Sequence, residues 1–181
     1  MHKSVMEFTK RVLTQEDIEQ KSVLEVGSRN INGSVREYIS SLKPKLYVGI
    51  DLVEGENVDI VMDAENLVEK FGEEVFDLVI STETLEHCKN WKLVISNIKR
   101  VLKPEGLLVI TTRSRGFKKH DYPHDYWRFE IKDFIEIFLD FEICNLEKDR
   151  DALGVFIKAQ KSVNYIEKSL ENTEVYNIND T

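Results

Sequence analysis

Short apolar runs recur along the chain, and segments with a helical spacing of apolar residues separate them. A continuous run of Val, Ile and Leu is typical of a strand that is buried on both faces of a parallel sheet. Such runs predict strands over residues 23–26, 46–50, 58–62, 75–81 and 107–112.

The segments between these runs are predicted to be helices. One clear apolar stripe repeats at helical spacing and consists of Trp91, Val94, Ile95, Ile98, Val101 and Leu102. A leading helix is expected over residues 5–20, and further helices over 33–42, 64–71 and 131–139. Pro44 and Gly72 end two of them, and a tight turn is expected over 103–106.

The last two predicted strands, 141–146 and 154–160, form a hairpin. The charged stretch between them, 147–151, is too short for a crossover helix, so these strands should be antiparallel. The predicted fold class is therefore α/β. We expect a single doubly wound, mainly parallel sheet of about seven strands, with a terminal antiparallel hairpin and helices on both faces.

The length of 181 residues and a hydrophobic fraction of 41% suit one compact domain. We expect that domain to span residues 1–161, with the leading helix inside residues 1–20. Residues 162–181 read as a polar C-terminal tail, which is either a docking arm or disordered.

The net charge and the cysteines limit the kinds of binding partner and the cellular compartment that we expect. The net charge of −8 gives no overall basic field, so we expect no nucleic-acid partner. Cys88 and Cys144 lie far apart, which fits a reducing compartment. No run approaches the roughly 18 apolar residues of a membrane helix, so we expect a cytoplasmic protein without a membrane partner.

Small and acidic residues follow the first three predicted strands. Ligands of such sheets bind beyond the carboxyl ends of the strands. Gly27 lets the backbone approach a ligand closely, and Asp51 offers two acceptor atoms to the two hydroxyls of a ribose. Asp63 follows the third strand, where an adenine would lie, although it could also cap the next helix.

Five ordered segments resemble the class I S-adenosylmethionine-dependent methyltransferases, of the type 11 kind. The resemblance covers roughly residues 20 to 160. The segments are Leu24-Glu25-Val26-Gly27, Gly49-Ile50-Asp51, Asp63-Ala64, Asp77 to Ser81 with Leu85-Glu86-His87, and Val101 to Leu107.

The resemblance implies S-adenosyl-L-methionine as the cofactor and assigns roles around it. Glu25 would orient the amino end, Asp51 with Leu52 would hold the ribose, and Asp63 with the Ala64 backbone would meet the adenine. Ser81, Thr82 and Glu83 would line the cleft near the sulfonium.

The first loop departs from the family pattern of alternating glycines. Arg29 and Ile31 stand where the second and third glycines are usual, and Gly33 follows two residues late. Ser28 or Asn30 could therefore supply polar contacts at the methionine end of the cofactor.

Residues 113–129 form a long loop with five Lys or Arg against two Asp. Such loops are usually binding segments, so substrate contacts are expected here. The candidates are Arg113, Tyr122, Tyr126, Trp127 and Arg128. Alternatively, the aromatic residues only pack back on the sheet. Residues 125–129 also resemble a segment of bacterial methyltransferases that accompany surface-glycan biosynthesis.

A hydroxyl acceptor needs a base to take its proton. His120 and His124 are the first candidates, followed by His87 and Glu83. We expect O-methylation of a small-molecule or glycan-like substrate. No metal site is predicted, because Pro123 interrupts the helix that would align His120 with His124.

Two other classes of function stay open at this point. A nicotinamide-dependent oxidoreductase is less favoured, because the first loop lacks Gly-x-Gly-x-x-Gly. A non-catalytic module that binds the cofactor or a partner would explain the unusual first loop.

Overall fold

The computed structural model describes residues 2–120 and 124–180 of the chain. A seven-stranded sheet forms its centre, in the order β3-β2-β1-β4-β5-β8-β7. The strands of this sheet are β1 (Ser22–Val26), β2 (Leu46–Asp51), β3 (Ile60–Val61), β4 (Phe76–Thr82), β5 (Leu102–Arg113), β7 (Phe141–Lys148) and β8 (Gly154–Lys161).

The pairing of the strands confirms the predicted fold class. Strands β3, β2, β1, β4 and β5 are parallel to one another. Strand β8 pairs antiparallel with both β5 and β7, so the hairpin lies at one edge. The order reverses between β1 and β4, which is where open α/β sheets bind their ligands.

Helices cover both faces of the sheet and bury two apolar cores. The helices are α1 (Lys3–Val12), α2 (Gln15–Ile18), α3 (Arg36–Ser41), α4 (Leu67–Phe71), α5 (Trp91–Val101) and α6 (Ile131–Ile137). On one face Val5 and Phe8 of α1 pack with Ile39 of α3. On the other face Ile95 of α5 and Phe134 of α6 share a larger cluster.

Some boundaries differ from the sequence prediction. The expected leading helix is two helices, since a capping box at Thr14 starts α2 after α1 has ended. The expected turn over 103–106 lies within β5, because Phe76 pairs with Leu102 before the register shifts at Leu78.

The C-terminal tail returns to the loop that precedes α6. Strand β6 (Trp127–Arg128) pairs antiparallel with β9 (Tyr176–Asn177) in a separate two-stranded sheet. Leu170 and Thr173, which lie between β8 and β9 in the sequence, are buried. The tail thus contacts the segment for which substrate binding was predicted.

No helix in the described part of the chain combines the length and the apolar character that spanning a membrane requires.

Candidate functional site

A cavity of about 550 Å³ opens at the carboxyl ends of the parallel strands. Its wall includes residues that follow β1, β2, β4 and β5. This is the position expected for a ligand of a doubly wound sheet.

Most of the predicted cofactor residues lie in the wall of this cavity. The eight that do are Glu25, Gly27, Ser28, Asp51, Leu52, Asp63, Ala64 and Thr82. Asn30 and Ser81 are not part of the wall. The Asn30 amide instead bonds Glu56 and accepts from the Gly33 N–H, and Ser81 is buried within β4.

The first loop turns sharply at Gly27, whose φ is +79°. A Cβ on Gly27 would lie 1.9 Å from Thr84 Oγ1, so no larger residue fits without movement of that segment. The next residue, Ser28, is 1% exposed and its hydroxyl has no hydrogen-bond partner. A buried hydroxyl in a cavity wall with no partner is suited to bonding a polar ligand.

Two carboxylates, Asp51 and Asp63, lie in the part of the cavity wall where a nucleoside was predicted, which we call the nucleoside end. Asp51 accepts hydrogen bonds from the backbone N–H groups of Arg29, at 3.3 Å, and Val53, at 3.0 Å. Asp63 accepts from the Glu65 N–H at 2.9 Å and so caps the short helical turn that follows. The capping role of Asp63 and its place in the cavity wall coexist.

Glu25 is a buried carboxylate at the end of β1. Burial raises its pKa to about 7, and the hydrogen bond from the Tyr47 hydroxyl, at 2.7 Å, opposes that shift. The Glu25 carboxyl therefore changes its charge near neutral pH, and it lies in the wall of the cavity.

All four candidate bases line the opposite side of the cavity: Glu83, His87, His120 and His124. We call the last three the histidine wall. Glu83 forms an ion pair with Arg113 and accepts from Thr111 Oγ1 at 3.1 Å. These contacts occupy the Glu83 carboxylate.

One contact of the histidine wall sets the tautomer of a ring. His87 Nδ1 makes a short contact with the backbone oxygen of His124, and because that oxygen can only accept, Nδ1 donates and Nε2 is the acceptor atom of this ring. His120 Nδ1 lies 3.1 Å from a carboxylate oxygen of Asp125 but forms no hydrogen bond with the described residues. The two rings lie 4.9 Å apart.

The residues predicted to contact substrate separate into two groups. Arg113 and Tyr126 lie in the cavity wall, whereas Trp127 and Arg128 do not. Trp127 donates its indole N–H to the Cys88 carbonyl and packs against Trp91 in the core. Tyr122 lies outside the described residues.

Two arginines of this loop are buried in internal ion pairs. Arg128 is 1% exposed and holds both oxygens of Asp125, at 2.5 and 2.6 Å. Arg113 contacts Asp149 at 3.4 Å, and burial lowers its pKa to about 10. Arg128 is therefore placed to organise the loop rather than to meet a ligand.

Several residues of the cavity wall were not selected from the sequence. Thr84 follows β4, and Ile31 and Val53 follow the first two strands, so their neighbours in the sequence could have indicated them. Phe117 belongs to the aromatic loop. His2 carries no sequence signal, because it reaches the cavity only through the packing of α1.

The fold and the cavity together define an α/β protein with a cavity at the carboxyl ends of its parallel strands, which is where such sheets bind nucleotides. A profile for a family described as methyltransferase domain matches residues 24–110, just under half of the chain. Part of a highly reducing polyketide synthase, pkhB, from Emericella nidulans is 28% identical over 137 residues. That alignment covers 68% of this chain and 5% of the synthase, so the chain spans a small part of that relative.

Solved methyltransferases share the fold. The 1,6-didemethyltoxoflavin-N1-methyltransferase of Burkholderia thailandensis, with bound S-adenosylhomocysteine, has a TM-score of 0.70 at 16% identity, covering 87% of this chain and 78% of that one. An S-adenosylmethionine dependent methyltransferase of Mesorhizobium loti has a TM-score of 0.68 at 13% identity, covering 87% and 98%.

Residues 24–110 are thus similar to the methyltransferase domain family, and the fold is that of solved S-adenosylmethionine-dependent methyltransferases, in agreement with the resemblance seen in the sequence. The cofactor of this class is S-adenosyl-L-methionine.

Proposed function

We propose that this chain transfers a methyl group from S-adenosyl-L-methionine to a hydroxyl oxygen of a small, polar or glycan-like acceptor. The observation that carries the proposal is the histidine wall, which brings three imidazoles to one side of the cavity. Imidazole is the side chain best suited to accepting a proton near neutral pH, as a hydroxyl acceptor requires.

The cavity wall fits the cofactor at several positions. Gly27 offers close backbone approach, Ser28 has an unpartnered hydroxyl, and Asp51 offers acceptors for a ribose. Glu25 provides a carboxylate for an amino group, and Ala64 and Leu52 provide apolar surface for a base. When bound, the cofactor supplies an electrophilic methyl carbon on a positively charged sulfur.

The residues of the chain then position the acceptor and remove its proton. Positioning supplies much of the acceleration in such reactions. The acceptor atom Nε2 of His87, together with the imidazole of His120 and the exposed imidazole of His124, supplies the proton acceptors within the wall. Arg113 forms ion pairs with Glu83 and Asp149, which hold its side chain in the cavity wall. Because its carboxylate is engaged in this way, Glu83 is a weaker candidate for the base.

The proposal is tested with methyl-labelled cofactor and a panel of acceptors that carry hydroxyl, amine or activated carbon groups. For the parent chain we expect the label on oxygen. The variants His87→Gln, His120→Gln and His124→Gln are tested singly in the same assay. The control is Glu142→Gln, a substitution at an exposed position outside the cavity wall. Label only on nitrogen or carbon would overturn the oxygen assignment.

A non-catalytic binding module remains the second candidate, and the first loop favours it. The Arg29 N–H bonds the carboxylate of Asp51, so the loop rests on the expected ribose contact. Cofactor binding without turnover on any acceptor would select this alternative. Binding of a nicotinamide cofactor instead would select the oxidoreductase.

The expected cytoplasmic location belongs to the same proposal. It is supported by two cysteines that form no disulfide. Fluorescence of a tagged chain in cell fractions tests it.

A further inference from the structure

Glu86 is a fully buried carboxylate beside the histidine wall. It lies in the helical turn Leu85–His87 and has an exposed fraction of 0%. One carboxylate oxygen, Oε2, accepts from Thr112 Oγ1 at 2.8 Å. The other, Oε1, is buried and has no hydrogen-bond partner among the described residues.

The carboxylate of Glu86 also lacks a cationic partner in the described part of the chain. The nearby arginines are engaged elsewhere, Arg113 with Glu83 and Asp149 and Arg128 with Asp125. A buried carboxylate without an opposite charge is costly. A bound cation would remove that cost.

Two imidazoles lie beside this carboxylate. Ligand atoms of Glu86, His87 and His120 all lie within 4.8 Å of one another. His87 Nδ1 contacts the His124 carbonyl oxygen, and His120 Nδ1 lies 3.1 Å from the Asp125 carboxylate without a hydrogen bond to it. Metal-binding histidines commonly have an oxygen partner like that of His87, because it orients the ring and leaves Nε2 free for the metal.

We propose that Glu86, His87 and His120 form a binding site for a divalent transition-metal ion. Two imidazoles and one carboxylate suit Zn²⁺, Co²⁺, Mn²⁺ or Fe²⁺ rather than Mg²⁺, which prefers oxygen ligands. Zn–N bonds of about 2.0–2.1 Å require ligand atoms that lie near one another, and the 4.8 Å limit that holds for these three residues is compatible with that after small side-chain movements.

The site leaves coordination positions open towards the cavity, since His87 and His120 both line it. An acceptor with two adjacent oxygen atoms, such as a vicinal diol or a hydroxy acid, could occupy them. A coordinated hydroxyl loses its proton more readily, and with His87 and His120 on the metal the imidazole of His124 is the member of the histidine wall that accepts this proton. This role in the reaction rests on the proposed function, whereas metal binding itself does not.

The test is a titration of the EDTA-treated full chain with CoCl₂, followed by visible absorption and calorimetry. We expect one Co²⁺ bound per chain. Glu86→Gln, which keeps the size of the side chain, and His120→Gln, in the partly exposed loop, should each weaken Co²⁺ binding by at least about tenfold. Glu142→Gln, at an exposed position of β7 outside the cavity wall, is the matched control and should bind Co²⁺ as the parent chain does.

Absence of Co²⁺ binding by the folded chain would overturn the inference, as would unchanged affinity in both site variants. If Glu86→Gln does not fold by circular dichroism, His120→Gln decides the result. Cofactor binding is measured separately in EDTA. Cofactor binding without Co²⁺ binding removes only the metal site, and Co²⁺ binding without cofactor binding removes only the proposed methyl transfer.

Discussion

The hydroxyl of Tyr47 donates a 2.7 Å hydrogen bond to the buried carboxylate of Glu25. The guanidinium of Arg36 lies 4.8 Å from the centre of the Tyr47 ring. Burial raises the pKa of Tyr47 as well as that of Glu25. This pair joins the first two strands next to the cavity, so its protonation affects both stability and ligand binding.

Glu25 should make the stability of the fold depend on pH. Its pKa rises from 4.5 to about 7 on folding, so between these values the folded chain binds more protons than the unfolded chain. The free energy of unfolding should therefore fall as pH rises through this window, by on the order of 3 kcal/mol, and then level off. Urea denaturation from about pH 5 to about pH 8 measures the effect.

Glu25→Gln is the matched variant for this dependence, because it keeps an acceptor for Tyr47 and does not titrate. The contribution of residue 25 to the free energy of unfolding should then not change with pH in this window. The stability of the variant relative to the parent chain should therefore be highest above pH 7. An equally steep pH dependence in both proteins would assign it to other groups.

Gly27→Ala should cost more stability than Gly72→Ala. The two glycines have similar φ values, +79° and +84°, so both substitutions carry backbone strain of about 1–3 kcal/mol. Only at Gly27 does the added Cβ overlap another group, Thr84 Oγ1, whereas at Gly72 the nearest atom is 4.0 Å away. Thermal unfolding of the two variants measures the difference. Equal losses would show that Thr84 moves aside freely.

Asp51→Ala should weaken cofactor binding by about 1.5–3 kcal/mol, because a charge-assisted hydrogen bond to the ribose is lost. Isothermal titration with S-adenosylhomocysteine measures it. Asp151→Ala, at an exposed position outside the cavity wall, is the control. A folded Asp51→Ala protein with the affinity of the parent chain would remove Asp51 from the cofactor site.

Arg128→Ala should destabilise the protein by about 3–5 kcal/mol, since it leaves the buried carboxylate of Asp125 without its partner. The substrate contact that the sequence indicated for Arg128 would instead raise the Michaelis constant for an anionic acceptor and leave stability unchanged. The comparison variant is Arg150→Ala, which removes an exposed arginine. Chemical denaturation distinguishes the two expectations, because a pure substrate contact would leave stability unchanged.

The sequence predicted the central sheet and much of the nucleoside end of the cavity. Apolar runs and the residues directly after them are local signals, and Gly27, Asp51 and Asp63 each follow a strand that the pattern indicates. Strand order then brings them together without further information.

The opposite side of the cavity depends on contacts between distant residues. Nothing local distinguishes the buried Arg128 from an exposed arginine, and its burial follows from Asp125 and from the pairing of β6 with β9. The Glu86 carboxylate likewise gains its environment from Thr112 on β5. Such side-chain placement follows from tertiary packing, which periodicity does not encode.

The pairing of β9 with β6 connects the C-terminal segment to the loop that carries His120 and His124. Asn179 donates to the Asp125 carbonyl at 3.1 Å, and the Ile178 N–H donates to the Tyr126 carbonyl at 2.8 Å. If the histidine side of the cavity holds the acceptor, as proposed, the segment after residue 161 helps to shape the acceptor site, whereas Gly27, Asp51 and Asp63 belong to the parallel strands and their loops. Sequence changes after residue 161 would then alter the choice of acceptor without altering the predicted cofactor contacts.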